Sequence, residues 1–323
     1  MSDARGDSAF RLAANRERLP EMTYGGAVSF LRRRYSRDLA GVDVAVMGVP
    51  YDAAVTYRPG CRLGPRAIRA ASVQLAELKA FPFGFDLLEA LSIVDYGDCW
   101  IDPHHPDTVA GDIERQAKEV LASGAKLLTL GGDHFVSWPL LKAHCEVHGP
   151  LALIQVDAHG DLWPDDPGRV DHGTMMGRAI REGLVDPERS TQVAIRTFHD
   201  TTEGLEVLTA PWIHSNGIGN ALDVARERAD GGPVYLSFDI DALDPAFAPG
   251  TGTPVPGGLA SWQALELVRG LRPLDLVGMD IVEVSPPFDH AEITALAAAH
   301  LAHDWLCVLA ERAGTGRVDV GRL

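Results

Sequence analysis

The feature that most constrains the fold is a repeated alternation between short apolar runs and segments with a helical pattern. Runs rich in Val, Ile and Leu recur at residues 42–49, 91–94, 126–130, 151–156, 192–195, 234–238 and 276–282. Such near-continuous runs are typical of strands that are buried on both faces. Helical patterns lie between them, among others at residues 108–123, 136–147, 175–182, 220–229, 261–269 and 291–311. The alternation predicts an α/β fold in which helices cover both faces of a parallel sheet.

The domain organisation follows from length and from the lack of internal boundaries. The chain has 323 residues, which is enough for one large domain or two small ones. No Ser-rich linker, fixed-period repeat or low-complexity tail divides it. Residues 1–40 are the least patterned part. We therefore expect an N-terminal arm over residues 1–40 and one domain over residues 41–323.

The charge balance excludes some classes of partner. The chain has 29 Lys and Arg residues against 45 Asp and Glu residues, a formal net charge of −16. A field of this sign repels phosphate backbones and anionic lipid and attracts cations, so nucleic acid is not an expected partner.

The location in the cell is predicted from the absence of targeting patterns. The first 20 residues contain no apolar core of a secretory signal. The longest apolar span, residues 293–310, is interrupted by His300, His303 and Asp304 and is shorter than a bilayer requires. The four cysteines are far apart, as expected for reduced thiols. We expect a cytoplasmic protein with no membrane association.

Three of the apolar runs end in polar clusters of the same character. In an open α/β sheet the carboxyl ends of parallel strands lie on one rim, where ligands bind. The three clusters are therefore predicted to converge on one site. Their members are His134, then Asp157, His159 and Asp161, and finally Asp239 and Asp241.

The spacing within the clusters suits metal ions only if the chain bends. Along a strand, residues i and i+2 face the same side, so Asp157 and His159 point together, as do Asp239 and Asp241. A third ligand at i+4 would spread the set over about 13 Å in an extended strand. We therefore predict that the chain curls near Gly160, where glycine permits it.

The charges of these clusters require cations. Four carboxylates and two imidazoles packed together would repel one another or take up protons unless positive ions neutralise them. Mainly carboxylate ligands favour Mn²⁺, although Fe²⁺, Co²⁺, Ni²⁺ and Zn²⁺ also fit. Two divalent ions that share a water activate it at neutral pH, so metal-assisted hydrolysis is the expected chemistry. Each cluster alone is also compatible with a turn, a helix cap or a phosphate site.

The motifs resemble the ureohydrolase family, which contains arginases and agmatinases. The similarity runs from about residue 42 to the C-terminus, and the segment 237–258 is the most specific. GGDHFVSWPLL, DHGTMM and EITALAAA resemble the agmatinase branch. The matching segments are LGGDH (130–134), DAHGD (157–161), DHGTMM (171–176), SFDIDALDPAFAPGTGTPVPGG (237–258), DIVEVSPPFD (280–289) and VPYDAAVTYRPGCRLGPRAIR (49–69).

The resemblance implies a fold and a set of residue roles. It implies a three-layer α/β/α fold with a mainly parallel eight-stranded sheet, a catalytic domain over residues 41–323, and homo-oligomers that are often trimers or hexamers. It implies that His172 moves protons and that Glu283 pairs with a guanidinium group. Asp241 is expected to relay the first proton as well as to bind metal. The implied ligands of two Mn²⁺ ions are His134, Asp157, His159, Asp161, Asp239 and Asp241.

Some of these positions keep other interpretations. From the residues alone, Glu283 is as compatible with a structural salt bridge as with a functional site. His172 is compatible with a position on a solvated loop. Gly160 and Leu162 depart from many relatives, which affects the expected substrate contacts.

The implied reaction is hydrolysis of a small cationic guanidino compound. Agmatine, giving urea and putrescine, is favoured because the segment 162–171 contains acidic residues that suit an ammonium tail. Arg169 in the same segment suits a carboxylate tail, and Trp163 suits a shorter substrate. The alternatives are 4-guanidinobutyrate, 3-guanidinopropionate, guanidine or arginine as substrate, or a metal-dependent binder without catalysis.

Overall fold

The computed structural model describes residues 23–102, 104–165 and 169–313. Its centre is one eight-stranded sheet with the strand order β2-β1-β3-β8-β7-β4-β5-β6, in which every pair of neighbouring strands is parallel. The strands are β1 (Val44–Gly48), β2 (Ile93–Asp98), β3 (Lys126–Leu130), β4 (Ala152–Val156), β5 (Thr191–Ile195), β6 (Glu206–Thr209), β7 (Pro233–Asp239) and β8 (Asp275–Val282). All seven runs predicted from the sequence form strands. The eighth, β6, was missed because it is a four-residue edge strand with partly exposed side chains.

Helices cover both faces of the sheet, as predicted. Alternate residues of each strand face opposite sides. In β1, Val44 and Val46 join one apolar cluster while Ala45 and Met47 join the other. The first cluster includes residues of α1 (Gly64–Ser72), α2 (Leu87–Ala90), α6 (Ala210–Asn216), α7 (Ile218–Ala229), α8 (Ser261–Gly270) and α9 (Ile293–Arg312). The second includes residues of α3 (Val109–Leu121), α4 (Ser137–His148) and α5 (Met175–Arg181). The predicted three-layer α/β/α architecture is confirmed.

The long apolar helix α9 is a core element. It has the length and composition of a membrane-crossing helix, but 78% of its apolar window is buried inside the structure. Trp305, Leu306 and Cys307 are fully buried in it. These residues pack in the first apolar cluster, which explains the apolar composition without a membrane.

The described part of the predicted N-terminal arm contacts the sheet domain. Residues 29–34 are buried. The Phe30 amide donates a hydrogen bond to Asp95 Oδ2 at 2.7 Å, and the Leu31 amide donates to Ser72 Oγ at 2.9 Å. Residues 1–22 of the predicted arm lie outside the described residues. The boundary at residue 40 stays a prediction.

The strand order determines where the polar clusters meet. Strands β3, β8, β7 and β4 are successive neighbours in the middle of the sheet. Because all of them are parallel, their carboxyl ends lie side by side at one rim. The residues that follow them are therefore brought together whatever their separation along the chain.

Candidate active site

The six predicted metal ligands form one cluster at this rim. His134 begins a 3₁₀ helix after β3, and Asp157, His159 and Asp161 lie in the loop after β4. Asp239 ends β7, and Asp241 lies in the 3₁₀ helix that follows.

One half of the cluster surrounds a histidine nitrogen. His134 Nδ1 lies 3.1 Å from Asp157 Oδ2, 3.0 Å from Asp161 Oδ2 and 3.3 Å from Asp239 Oδ2. In the other half, His159 Nδ1 lies 3.0 Å from Asp241 Oδ2 and 3.6 Å from Asp157 Oδ1. Asp157 thus offers one oxygen to each half, which is the arrangement of a residue shared between two adjacent ions.

A hydrogen-bond relay behind His134 shows that this donor set fits a cation. His134 Nε2 lies 2.8 Å from Ser237 Oγ, and that hydroxyl donates to Asp280 Oδ1 at 2.8 Å. Tyr235 donates its hydroxyl to the other oxygen of Asp280 at 2.8 Å. Because Ser237 has one proton and gives it to Asp280, the network assigns the imidazole proton to Nε2. The buried Nδ1 atom has no hydrogen-bond partner, so its lone pair faces three carboxylate oxygens, which a positive ion would hold together.

The electrostatics of the cluster lead to the same conclusion. Burial, followed by the charges of Asp241 and Asp157, raises the pKa of Asp239 well above its usual value. Burial and the charge of Asp157 raise the pKa of Asp161 to about 7. Burial alone would lower the pKa of His159, but the charge of Asp241 and further contacts with the carboxylates raise it to about 12. Without bound cations the cluster therefore holds protons, which divalent ions would replace.

The loop after β4 curls as predicted, but the conformation responsible is at a different residue. Asp161 is the left-handed residue, with φ +52°, and Gly160 does not have a positive φ. Gly160 instead allows close packing, because a Cβ atom there would lie 2.4 Å from His199 Cδ2 and the His199 ring would have to move. The other departure from relatives, Leu162, is 2% exposed and packs in the second apolar cluster.

Two buried glutamines support this loop. Gln155 Nε2 donates to Asp157 Oδ2 at 2.8 Å. Gln192 Nε2 donates to the carbonyl oxygen of Gly160 at 2.6 Å and to Gln155 Oε1 at 2.8 Å. These bonds fix the carboxylate plane of Asp157, which both halves of the cluster share.

His172 and Glu283 are buried and in direct contact. His172 Nδ1 lies 2.9 Å from Glu283 Oε1, and the side chains are 9% and 1% exposed. The Thr56 amide donates to His172 Nε2 at 2.9 Å. Burial opposes the charge of His172, but the hydrogen bond and charge of Glu283 raise its pKa to about 9. The partner of Glu283 is therefore a histidine inside the site, and His172 is not on a solvated loop surface.

The cluster opens into a cavity of about 450 Å³. His159, Asp161 and Asp239 line its floor together with His172. Its wall includes Trp163, whose ring packs near Gly173, and Asp171.

The acidic residues of segment 162–171 do not all reach this cavity. Asp165, which the sequence suggested for an ammonium tail, is bound by Arg178 and Arg181. Asp166 lies outside the described residues. Asp171 lines the cavity, and its Oδ1 accepts the Gly173 amide at 3.1 Å. The Arg169 side chain is 75% exposed, with its guanidinium 4.0 Å from Asp171.

Sequence reasoning missed the residues that support the cluster from below. Gln155, Ser237 and Asp280 are polar residues within strands that are otherwise apolar and buried on both faces. A polar residue in such a strand needs a buried partner, and that requirement could have identified them. Cys61 and Thr56 lie in the loop after β1 and carry no comparable pattern.

Comparison with known proteins agrees with the fold. The sequence profile of the arginase family matches residues 42–307. The chain therefore belongs to the arginase family and is a hydrolase of the ureohydrolase class.

Several of its similar relatives are agmatinases, and other amidino hydrolases share its fold. An agmatinase of Chromobacterium violaceum is 56% identical over 96% of this chain and 97% of its own length. A crystal structure described as a hypothetical agmatinase from Burkholderia thailandensis is 53% identical, with a TM-score of 0.94 over 96% of this chain and 99% of that chain. Proclavaminate amidino hydrolase from Streptomyces clavuligerus is 38% identical, with a TM-score of 0.86 over 90% of this chain and 100% of that chain. The predicted family and enzyme class are confirmed.

Proposed function

We propose that this chain hydrolyses agmatine to urea and putrescine, using two Mn²⁺ ions. The observation that carries the proposal is the buried cluster of four carboxylates and two imidazoles, which opens into a cavity that is also lined by His172, the hydrogen-bond partner of Glu283. The agmatinase names of the relatives, at up to 56% identity, support agmatine as the substrate.

The ligands divide into the two groups that the geometry defines. His134, Asp157, Asp161 and Asp239 would hold one ion, and Asp157, His159 and Asp241 would hold the other. The mainly oxygen donor set favours Mn²⁺ over metals that prefer thiolates. When bound, the two ions supply an activated water for attack on the substrate at neutral pH.

Glu283 would hold the guanidinium group. A guanidinium carbon is a poor electrophile because its charge is spread over three nitrogens, so close positioning is essential. Burial opposes ionisation of Glu283, but its hydrogen bond with His172 and other contacts lower its pKa below the usual value. The side chain is therefore a carboxylate that accepts charge-assisted hydrogen bonds from guanidinium N–H groups.

Two residues would move the protons of the reaction. Water adds to the guanidinium carbon, one C–N bond breaks, and the departing amine must gain a proton. Asp241 would accept the first proton from the attacking water. His172 would donate a proton to the leaving amine and recover one from solvent.

The far end of the cavity would select the tail of the substrate. Among the described residues of segment 162–171, Asp171 is the acidic residue that lines the cavity, and its charge complements the ammonium group of agmatine. Trp163, at the same wall, would cover the aliphatic chain.

Urea release from a panel of guanidino compounds tests the proposal. We expect the Mn²⁺-loaded protein to hydrolyse agmatine with the highest kcat/KM among agmatine, arginine, 4-guanidinobutyrate, 3-guanidinopropionate and guanidine. A higher value for another compound would reassign the substrate. Binding of agmatine without urea release from any compound would indicate a metal-dependent binder.

We also propose a cytoplasmic homo-oligomer, a trimer or a hexamer. Membership of the arginase family supports this proposal. Large apolar side chains such as Phe198, Trp262 and Tyr57 are at least 60% exposed and are available for contacts between copies. Light scattering after size-exclusion chromatography measures the number of copies, and a monomer would contradict the proposal.

A further inference from the structure

A cysteine side chain lies inside the site and contacts Glu283. Cys61 Sγ lies 3.0 Å from Glu283 Oε2, although the two residues are 222 positions apart. Cys61 is fully buried. Neither the metal cluster nor the proton transfers described above use this thiol.

The loop before Cys61 holds the thiol in place. Gly60 has φ +137°, and a Cβ atom there would lie 2.5 Å from Ser285 Oγ, so only glycine fits. The Gly60 amide donates to Asp52 Oδ2 at 2.7 Å. The Leu63 amide donates to the Gly60 carbonyl at 3.0 Å and closes the 3₁₀ turn Cys61–Leu63. The thiol therefore sits on a rigid turn that packs against the chain just after Glu283.

The thiol is a neutral donor in this position. Burial, followed by the charge of Glu283, raises the pKa of Cys61 well above its usual value. Its S–H group can therefore donate to the carboxylate, and a thiolate beside Glu283 would be repelled.

The hydrogen bonds of the Glu283 carboxylate leave one acceptor position free on its oxygens. Oε1 accepts from His172 Nδ1 at 2.9 Å and from the His134 amide at 3.0 Å. Oε2 accepts from Cys61. A carboxylate has about four acceptor positions, so one remains on Oε2 for a ligand. Gly252 lies against the same oxygen, and its lack of a side chain keeps space there.

The backbone of Glu283 makes this support important. Its φ of +63° is unusual for a residue with a side chain, and its amide donates to the Gly132 carbonyl at 2.8 Å. Such a conformation persists where surrounding contacts hold it, and it is frequent at functional sites. With Oε1 held by two donors, Cys61 supplies the contact that sets the direction of Oε2.

We propose that Cys61 is a positioning residue: its S–H group orients the Glu283 carboxylate so that the remaining lone pair of Oε2 faces the guanidinium group. Cys61 itself does not touch the substrate. The inference rests on the proposed role of Glu283 as the guanidinium acceptor.

Cys61→Ala and Cys61→Ser test the proposal in the metal-loaded protein. Loss of one hydrogen bond to a charged group corresponds to about a tenfold change in binding. We expect Cys61→Ala to raise the KM for agmatine about tenfold, with kcat changed less than about threefold. Cys61→Ser restores a donor and should return KM to within about threefold of the wild-type value. The Kd of agmatine, measured by calorimetry, should follow KM.

Matched measurements separate positioning from folding. Cys99→Ala removes another buried thiol, outside the site, and should leave KM unchanged. Metal content should be the same in all variants. Wild-type KM in Cys61→Ala, or equal losses in the Ala and Ser variants, would overturn the proposal, because the donor would then not matter.

The experiment also distinguishes the two proposals. Variants are compared with wild type on whichever guanidino compound the wild type hydrolyses fastest. If the wild type does not hydrolyse agmatine but hydrolyses another compound, the proposed substrate is rejected. The comparison of Cys61 variants still applies on that other compound.

Discussion

His172 and Glu283 lie 111 residues apart and are joined by a 2.9 Å contact between Nδ1 and Oε1. The other ring nitrogen of His172 accepts the Thr56 amide, a donor that cannot reverse its direction. In this geometry Nδ1 carries the proton and Nε2 the lone pair. The Thr56 hydroxyl lies 2.8 Å from the same nitrogen and can accept from it, so protonation of Nε2 costs the bond from the Thr56 amide but leaves a partner on the same residue.

The first prediction concerns metal content. We expect about two divalent ions per chain, because the ligand atoms form two groups that share Asp157. Removal of both ions with a chelator should abolish activity and lower the Tm, since ions that bind only the folded state stabilise it. Elemental analysis and calorimetry measure both effects. One ion per fully active chain would contradict the two-ion arrangement.

The second prediction concerns the charge of Glu283. Glu283→Gln should keep both ions and lower kcat/KM about 100-fold or more, because an amide offers a guanidinium group no charged acceptor. Asp239→Asn should behave differently and lose metal together with activity. Near-normal kinetics in Glu283→Gln would assign Glu283 a structural role only.

The third prediction concerns proton transfer. His172→Asn should keep both ions, and its kcat should fall by about 10²–10⁴, the usual contribution of general acid–base catalysis. Added imidazole should restore part of the rate by supplying the missing proton carrier. Steady-state kinetics with and without imidazole measure this. Unchanged kcat at full metal occupancy would remove His172 from the mechanism.

The fourth prediction concerns the tail of the substrate. Asp171→Asn should raise the KM for agmatine by about fivefold to tenfold, the effect of losing one charge-assisted hydrogen bond. The KM for 4-guanidinobutyrate, whose tail is anionic, should fall or stay constant. Asp165→Asn is the matched control: it should lower the Tm, because Arg178 and Arg181 each lose one of their charged partners, without changing this preference. An equal change in KM for both substrates would show that Asp171 does not recognise the charged tail of the substrate.

The fifth prediction concerns acid stability away from the site. Burial lowers the pKa of His144 to about 4, so the folded state keeps this imidazole neutral. The unfolded chain takes up that proton near pH 6.5. The contribution of neutral His144 to the free energy of unfolding is therefore complete above about pH 6.5. It is lost as the pH falls towards 4, by about 1 kcal/mol per pH unit. Urea unfolding of wild type and His144→Leu across this range should give a shallower slope in the variant. Parallel slopes would show that His144 does not contribute.

Strand positions and the members of the polar cluster could be predicted from the sequence because both depend on local patterns. Apolar runs identify buried strands, and a carboxylate or histidine directly after such a run must lie at the end of that strand. This reasoning brought His134, Asp157 and Asp239 to one rim, where the structure places them. Edge strand β6 gave no such pattern, because partial exposure removes the need for an apolar run.

Only the tertiary structure decided the contacts between residues that are distant in the chain. The Cys61 thiol on Glu283, the capture of Asp165 by two arginines and the packing of His199 against Gly160 all join segments whose spacing predicts nothing about their contact. The turn after β4 is a further case, since its left-handed residue is Asp161 and the neighbouring glycine lies against the His199 ring. Local composition determines which helices and strands form and which polar residues follow them. The direction of each lone pair and proton depends on which side chains the packing of the layers brings into contact.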